Sequence, residues 1–165
     1  MSTERRFFAP AGRPLAAGEL VLGGDAARHA SVLRLREGDA VTLFDGRGAE
    51  AEAIVRALSS HALRVEVTRV REASAGATRV VLVQGMPKGA KLEDIVRACT
   101  EIGVSAVHLA HGERSVSKPD EERAGKRTER LERVAREAAR QSERAAVPAV
   151  VAAAPPAGVA ARASG

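Results

Sequence analysis

The hydrophobic pattern of this chain changes its period once, near residue 73, and that change rules out a fold made of one kind of layer. Before it, Leu63, Val65 and Val67 alternate with Arg64, Glu66 and Arg69, the period-two pattern of a half-buried strand. After it, Leu92, Ile95, Val96, Cys99 and Ile102 recur at the spacing that puts them on one face of a helix. Between the two, Glu72-Ala73-Ser74-Ala75-Gly76-Ala77 is small and polar with no apolar period, which reads as a linker. At 165 residues the chain is long enough for two small cores. The expected fold class is therefore α+β with two domains: a small β-barrel over 1–72, a linker over 73–78, and an α/β domain over 79–165.

Within the first part, Val41-Thr42-Leu43-Phe44 enters the turn-rich Asp45-Gly46-Arg47-Gly48 and Ala51 to Leu58 returns, which predicts a hairpin. Asp25 is placed to cap a short helix carrying Ala26 to Leu33, and Gly38-Asp39 marks the turn into the next strand. Within the second part, Val80 to Val83 reads as a buried strand, Gly103 ends the helix, and Val104 to Leu109 reads as a second strand. Strand, helix, strand predicts a βαβ unit on a parallel sheet. A long helix over about Asp120 to Glu143 follows, with Leu131, Val134 and Ala138 as its inner stripe. Val147 to Ala152 begins another strand. With so few elements the sheet would keep uncovered edges and apolar faces, so the chain is expected to be aggregation-prone or partly disordered beyond Val147.

The net charge of +5 makes a polyanion the leading partner class, because a basic surface gathers phosphates by releasing counterions. Lys occurs only at 88, 91, 118 and 126, and the rest of the 26 basic residues are Arg, a bias that a GC-rich genome also produces. Aromatic residues are 2%, all Phe, so base-stacking platforms are scarce and contacts to phosphate and base edges are expected. The Ala/Val-rich run from Ala145 to Ala161 is broken by Pro148, Pro155 and Pro156 and does not read as a membrane span. MSTERRFFAP has no apolar run behind its charges, which argues against a secretory signal and for the cytoplasm. Cys99 stands alone, so no internal disulfide and no thiolate cluster can form. His108 and His111 lack acidic or Cys partners at ligand spacing, and no metal is expected.

Gln84-Gly85-Met86-Pro87-Lys88-Gly89-Ala90-Lys91 lies between a strand and a helix, where phosphate loops occur. It fails the Walker A test, since three residues rather than four separate Gly85 from Gly89 and Leu92 follows Lys91. What remains is a helix start with two Lys side chains, able to hold a phosphate or to sit solvated. His29, Arg34 and Arg36, with Arg5 and Arg6, form a candidate basic edge. Neither a Ser-His-Asp set nor a pair of acids is evident, so no catalytic residue is assigned.

Taken in order, RRFFAP at 5–10, DAARHASVLRLREGD at 25–39 and LFDGRG at 43–48 resemble the PUA-like RNA-binding domain of the RsmE family of 16S ribosomal RNA uridine-N3 methyltransferases. QGMPKGAKLEDIVRACTEIGV at 84–104, ERSV at 113–116 and EAARQSERAAVP at 137–148 resemble the opening of that family's SPOUT domain, of trefoil-knot type. The resemblance implies methylation of N3 of a uridine in 16S rRNA with S-adenosylmethionine, by a homodimer, on the small ribosomal subunit. It makes Arg6, His29, Arg34 and Arg36 candidates for RNA docking, and Lys88, Lys91, Arg114 and Arg144 candidates for the rim of the cleft. The family's Gly-Pro-Glu-Gly-Gly loop and Leu-Gly-x-Arg-Ile-Leu-Arg segment do not occur here, so the cofactor-binding residues are expected beyond Gly165 and the SPOUT domain is expected to be incomplete. Two smaller departures stand in the long helix: Arg140 where the family often has an acid, and Glu143 where it often has Gly. Three readings follow. The chain belongs to a methyltransferase, or is a truncated module that docks on rRNA without methylating, or is a scaffold whose basicity is compositional.

Overall fold

A computed structural model of the chain describes residues 5–9, 14–72, 79–87, 91–110 and 121–154. The expected linker 73–78, Lys88, His111, Arg114 and the tail from Pro155 lie outside them. The chain divides into two compact units, Met1–Ala75 with Arg140–Ala146, and Gly76–Ala139 with Val147–Gly165.

The first unit is a five-stranded sheet of β1 (Arg6–Phe8), β2 (Gly18–Leu22), β3 (Ala40–Phe44), β4 (Ala49–Leu58) and β5 (Leu63–Glu72), with helix α1 (Gly24–Val32) between β2 and β3. The strand order is β1-β3-β4-β5-β2. The hairpin expected from the sequence is β3–β4, with Leu43 opposite Ala51 and Val41 opposite Ala53. Strands β4 and β5 are the longest pair, with register shifts at Glu52/Ala53 and Val55/Ala57 that increase local twist. Alternation puts Val41, Leu43, Ala53, Val55, Leu63, Val65 and Val67 into one core with Phe7, Leu22 and Leu35, all buried. The sequence reading gave no strand at β1 or β2. β1 is three residues long and gains its partners by lying parallel to β3, while β2 closes antiparallel on β5. Pairings this remote leave no periodic trace in so short a segment.

Asp25 does not cap α1. Gly23 holds the N-cap position without a side-chain bond, and Asp25 sits in the first turn, paired with Arg28. The carboxylate there still complements the helix dipole. At the other end, Arg34 N–H donates to Ser31 O and Leu35 N–H to Ala30 O, both at 3.0 Å. That is a Schellman closure with Arg34 at the left-handed position, φ 54°.

The second unit is a parallel sheet of β6 (Val81–Gly85), β7 (Ala106–Ala110) and β8 (Ala149–Ala154) in the order β6-β7-β8, with helices α2 (Lys91–Ile102) and α3 (Glu121–Gln141). Every residue of central β7 is buried, as expected of a parallel strand covered on both faces. Leu92 and Val96 of α2 pack with Val107, Leu109, Val150 and with Leu131 and Ala135 of α3. Ile102 departs from its expected place and is 73% exposed, while Thr100 is buried and donates its hydroxyl to Val96 O at 2.7 Å. The reason is angular: at 3.6 residues per turn the buried face centres on Val96, and Ile102 lies roughly 120° away from it. Gly103, φ 86°, ends α2 as expected, with Gly103 N–H donating to Thr100 O and Val104 N–H to Cys99 O. α3 buries Leu131 and Ala138 as expected, together with Ala135 and Ala139. The disorder expected beyond Val147 does not begin there, because β8 pairs with β7 from Ala149 to Ala154. Among the described residues no helix is long and apolar enough to cross a membrane.

Candidate nucleic-acid interface

The candidate site of the first unit is the edge formed where α1 ends and β3 begins. Gly38, φ 89°, and the Schellman closure of α1 turn the chain so that Arg34 and Arg36 point outward; both are exposed. The Arg36 N–H donates to Asp39 Oδ2 at 2.7 Å, and Arg5 Nη1 lies 3.3 Å from Asp39 Oδ1. The Arg36 N–H first, and then the Arg5 guanidinium, hold the Asp39 carboxyl below its ordinary range against a partial loss of solvent. Asp39 thus stays ionised and fixes the turn that carries Arg36. Sequence reasoning had Asp39 only as a turn residue. The carboxylate reaches back three residues to the Arg36 N–H, as the acid of a capping box reaches back to its N-cap, and an acid at that spacing was the available signal.

Arg6 is 7% exposed. Its Nη2 donates to Glu50 Oε1 at 2.6 Å and to the carbonyl of Arg144 at 3.4 Å, and the guanidinium carbon lies 5.4 Å from the centroid of Phe44. Its Nε is buried without a partner. Arg6 therefore braces β1 against β4 from within the unit, while Arg34 and Arg36 face solvent. His29 is half-buried, its ring 5.2 Å from that of Phe7, with Nε2 2.6 Å from Arg140 Nη1.

That last contact shows what the sequence kept hidden. Arg140–Ala146, the end of α3 and the chain beyond it, belongs to the first unit. Ala146 bridges to Gly46 and Arg47 in the DGRG turn. The turn is shaped for it by Asp45, which accepts from the N–H groups of Arg47 and Ala49 at 2.8 and 3.0 Å, and by positive φ at Gly46 and Gly48. The structure thus brings Arg6, His29 and Arg144 into one unit although 138 residues separate Arg6 from Arg144. Arg144 is exposed and Glu143 takes φ 58°, so Glu occupies a left-handed position where glycine is the natural residue. The outer face of the sheet is charge-compensated instead: Arg56 pairs with Glu66, Arg64 with Glu19 and Arg71 with Glu52. A polyanion would meet balanced charge there and the arginine edge at α1.

In the second unit Lys91 opens α2 and is exposed. The first turn of α2 carries Glu93 and Asp94, which already complement its dipole; Glu93 pairs with Arg130 at 2.8 Å and Asp94 with Arg97 at 2.8 Å. Burial pushes the Cys99 thiol up. His108 is 6% exposed and its Nδ1 has no partner. Among the described residues no group of His, Cys, Asp and Glu has the arrangement of a metal site. At the carboxyl ends of the parallel strands, where ligands of open α/β sheets bind, the described residues include Gly85, Met86 and Ala110. They are small or apolar and joined by the Met86 N–H to Ala110 O bond of 3.1 Å. They could floor a nucleoside but include no side chain to hold a ribose or a carboxylate.

Two family profiles match the chain in succession, an RNA methyltransferase PUA domain over residues 22–68 and an RNA methyltransferase domain over 74–163. The chain is similar to ribosomal RNA small subunit methyltransferase E of Bacillus subtilis, 35% identical over 130 residues, which cover 78% of this chain and 51% of that protein. The same enzyme of Synechocystis is 36% identical over 121 residues, covering 73% and 38%. Among solved structures, ribosomal RNA small subunit methyltransferase E of Neisseria gonorrhoeae bound to S-adenosyl methionine superposes with a TM-score of 0.80 at 30% identity, covering 90% of this chain and 62% of that one. A methyltransferase of Legionella pneumophila in complex with the same cofactor gives 0.79 at 25% identity, covering 90% and 63%. The chain spans about half the length of the Bacillus protein it matches.

Proposed function

The chain belongs to the RNA methyltransferase family, as a member similar to the ribosomal RNA small subunit methyltransferases E, and from that premise we propose that it carries the rRNA-docking unit and the opening of the catalytic domain of a 16S rRNA uridine-N3 methyltransferase. The observation that carries the reading is the order of the two profile matches on one chain, the first falling on the unit that exposes the arginine edge. In this reading Arg34, Arg36 and Arg144 contact rRNA phosphate, while Lys91, with Lys88 and Arg114, lines the cleft. His29 orients the docking edge and Arg6 braces it. S-adenosylmethionine supplies the methyl group, and the uridine is held in line with it by positioning rather than by a metal. The residues that would hold the cofactor's ribose and carboxylate lie outside those described. The full enzyme would work as a homodimer in the cytoplasm on the small ribosomal subunit.

A second reading, favoured by the PUA-domain match falling on the unit that exposes the arginine edge, is a module that docks on rRNA without transferring methyl. Calorimetric titration of S-adenosylmethionine into this chain, beside a binding assay with a 16S rRNA transcript, separates the two. Binding of both supports the enzyme, and RNA binding alone supports the docking module. Binding of neither would overturn both readings and leave the scaffold.

A further inference from the structure

The Arg140–Ala146 segment is fastened to the first unit at independent points. Arg6 Nη2 donates to Arg144 O, Ala146 bridges to the DGRG turn, and Ala145 is 7% exposed. Glu143 keeps a left-handed backbone, which a non-glycine residue retains only where its surroundings over-determine it. At the head of the segment Arg140 Nη1 meets His29 Nε2 at 2.6 Å. A guanidinium donates hydrogen bonds and accepts none. Nε2 must therefore present its lone pair, and the hydrogen of the ring sits on Nδ1. Phe7 packs on the same ring with centroids 5.2 Å apart at an interplanar angle of 59°.

We propose that Arg140 is a positioning residue for RNA docking: its hydrogen bond to His29 Nε2 sets the ring's tautomer and pins the 140–146 segment to α1, so that Arg144 acts on the same polyanion as Arg34 and Arg36. The proposal rests on the reading that the first unit binds rRNA. It assigns a role to a residue that the basic-edge reading passed over, and it explains why a distant piece of chain is built into the first unit. A direct phosphate contact by Arg140 is the competing outcome. Such a contact would lower the salt slope in an Arg140 variant alone, whereas a positioning residue that acts through His29 lowers it equally when either residue is removed, because Arg144 is lost with both.

The test uses the whole chain, as wild type, Arg140→Met, His29→Ala and the double variant. Nitrogen-15 long-range spectra of the histidine rings report the tautomer, and fluorescence anisotropy with a labelled 16S rRNA transcript reports affinity across a salt series. Expected are an Nδ1–H pattern for His29 in the wild type and a loss of about tenfold in affinity for R140M. Because Arg144 leaves the polyanion once the segment is unpinned, the salt slope should fall by about one in R140M and by the same amount in H29A, and the double variant should be no weaker than H29A. An Nε2–H pattern overturns the proposal, as do a slope that falls in R140M but not in H29A, additive losses in the double variant, or an R140M that binds like wild type. Wild-type protein that binds no transcript at any salt sinks the RNA reading and the proposal together, whereas unaltered binding by R140M sinks the proposal alone. Should R140M fail to fold, the ring spectrum of the unmodified chain still decides whether the contact sets the tautomer.

Discussion

Arg34 stands at φ 54° in the closing turn of α1 with its side chain in solvent. A side chain there crowds the following carbonyl at a cost of about 1 kcal/mol, which glycine avoids. Arg34→Gly is therefore expected to raise stability by about 1 kcal/mol in urea unfolding while weakening RNA binding. A variant more stable and equally tight in binding would remove Arg34 from the docking edge. Asp39 gives the pH counterpart. Its folded carboxyl titrates below the ordinary value, so its contribution is complete above the unfolded range near 3.9 and is lost as pH falls through the lowered value. In Asp39→Asn the acid limb of the stability curve should flatten below about pH 4, read from urea midpoints as the pH is lowered through that value. An unchanged limb would mean that the Arg36 and Arg5 contacts do not act on Asp39 in solution. The sequence displayed both residues as candidates for a turn or an edge. It could not display the backbone angle or the N–H that gives each its role.

At the scale of the element, α2 separates what a helical period predicts from what packing selects. The stripe was legible, but its centre was displaced toward Thr100, because packing against Leu131 and Val107 fixes the helix rotation that the sequence leaves open. Val96→Ala should cost about 2 kcal/mol through a lost methyl pair and the cavity left behind, whereas Ile102→Ser should fall within about 0.5 kcal/mol of wild type. Equal costs for the two in thermal unfolding would mean that Ile102 is covered in solution. β1 and β2 show the opposite case. Each is short, and each became a strand only because β3 and β5 offered it hydrogen-bonding edges.

At the scale of the whole molecule, the exposed Arg34, Arg36 and Arg144 of the first unit make roughly three phosphate contacts the expected number for that unit. The affinity for single-stranded rRNA should then fall with salt at a log–log slope on the order of −2; a flat response in an anisotropy series would show that the basic charge is compositional. The division into a strand-rich part and a βαβ part, the β3–β4 hairpin, the stop of α2 at Gly103 and the inner stripe of α3 were all determined by the sequence itself. Each depends on periodicity or turn chemistry within some ten to twenty residues, the range over which local pattern carries information. The tertiary structure alone decided that β1 lies parallel to β3 and that Arg6 turns inward to Glu50. It alone brought Arg140–Ala146 back to His29 and the DGRG turn. Those contacts close loops of tens to more than a hundred residues, and what selects them is burial and hydrogen-bond satisfaction across the finished core, which no local pattern encodes.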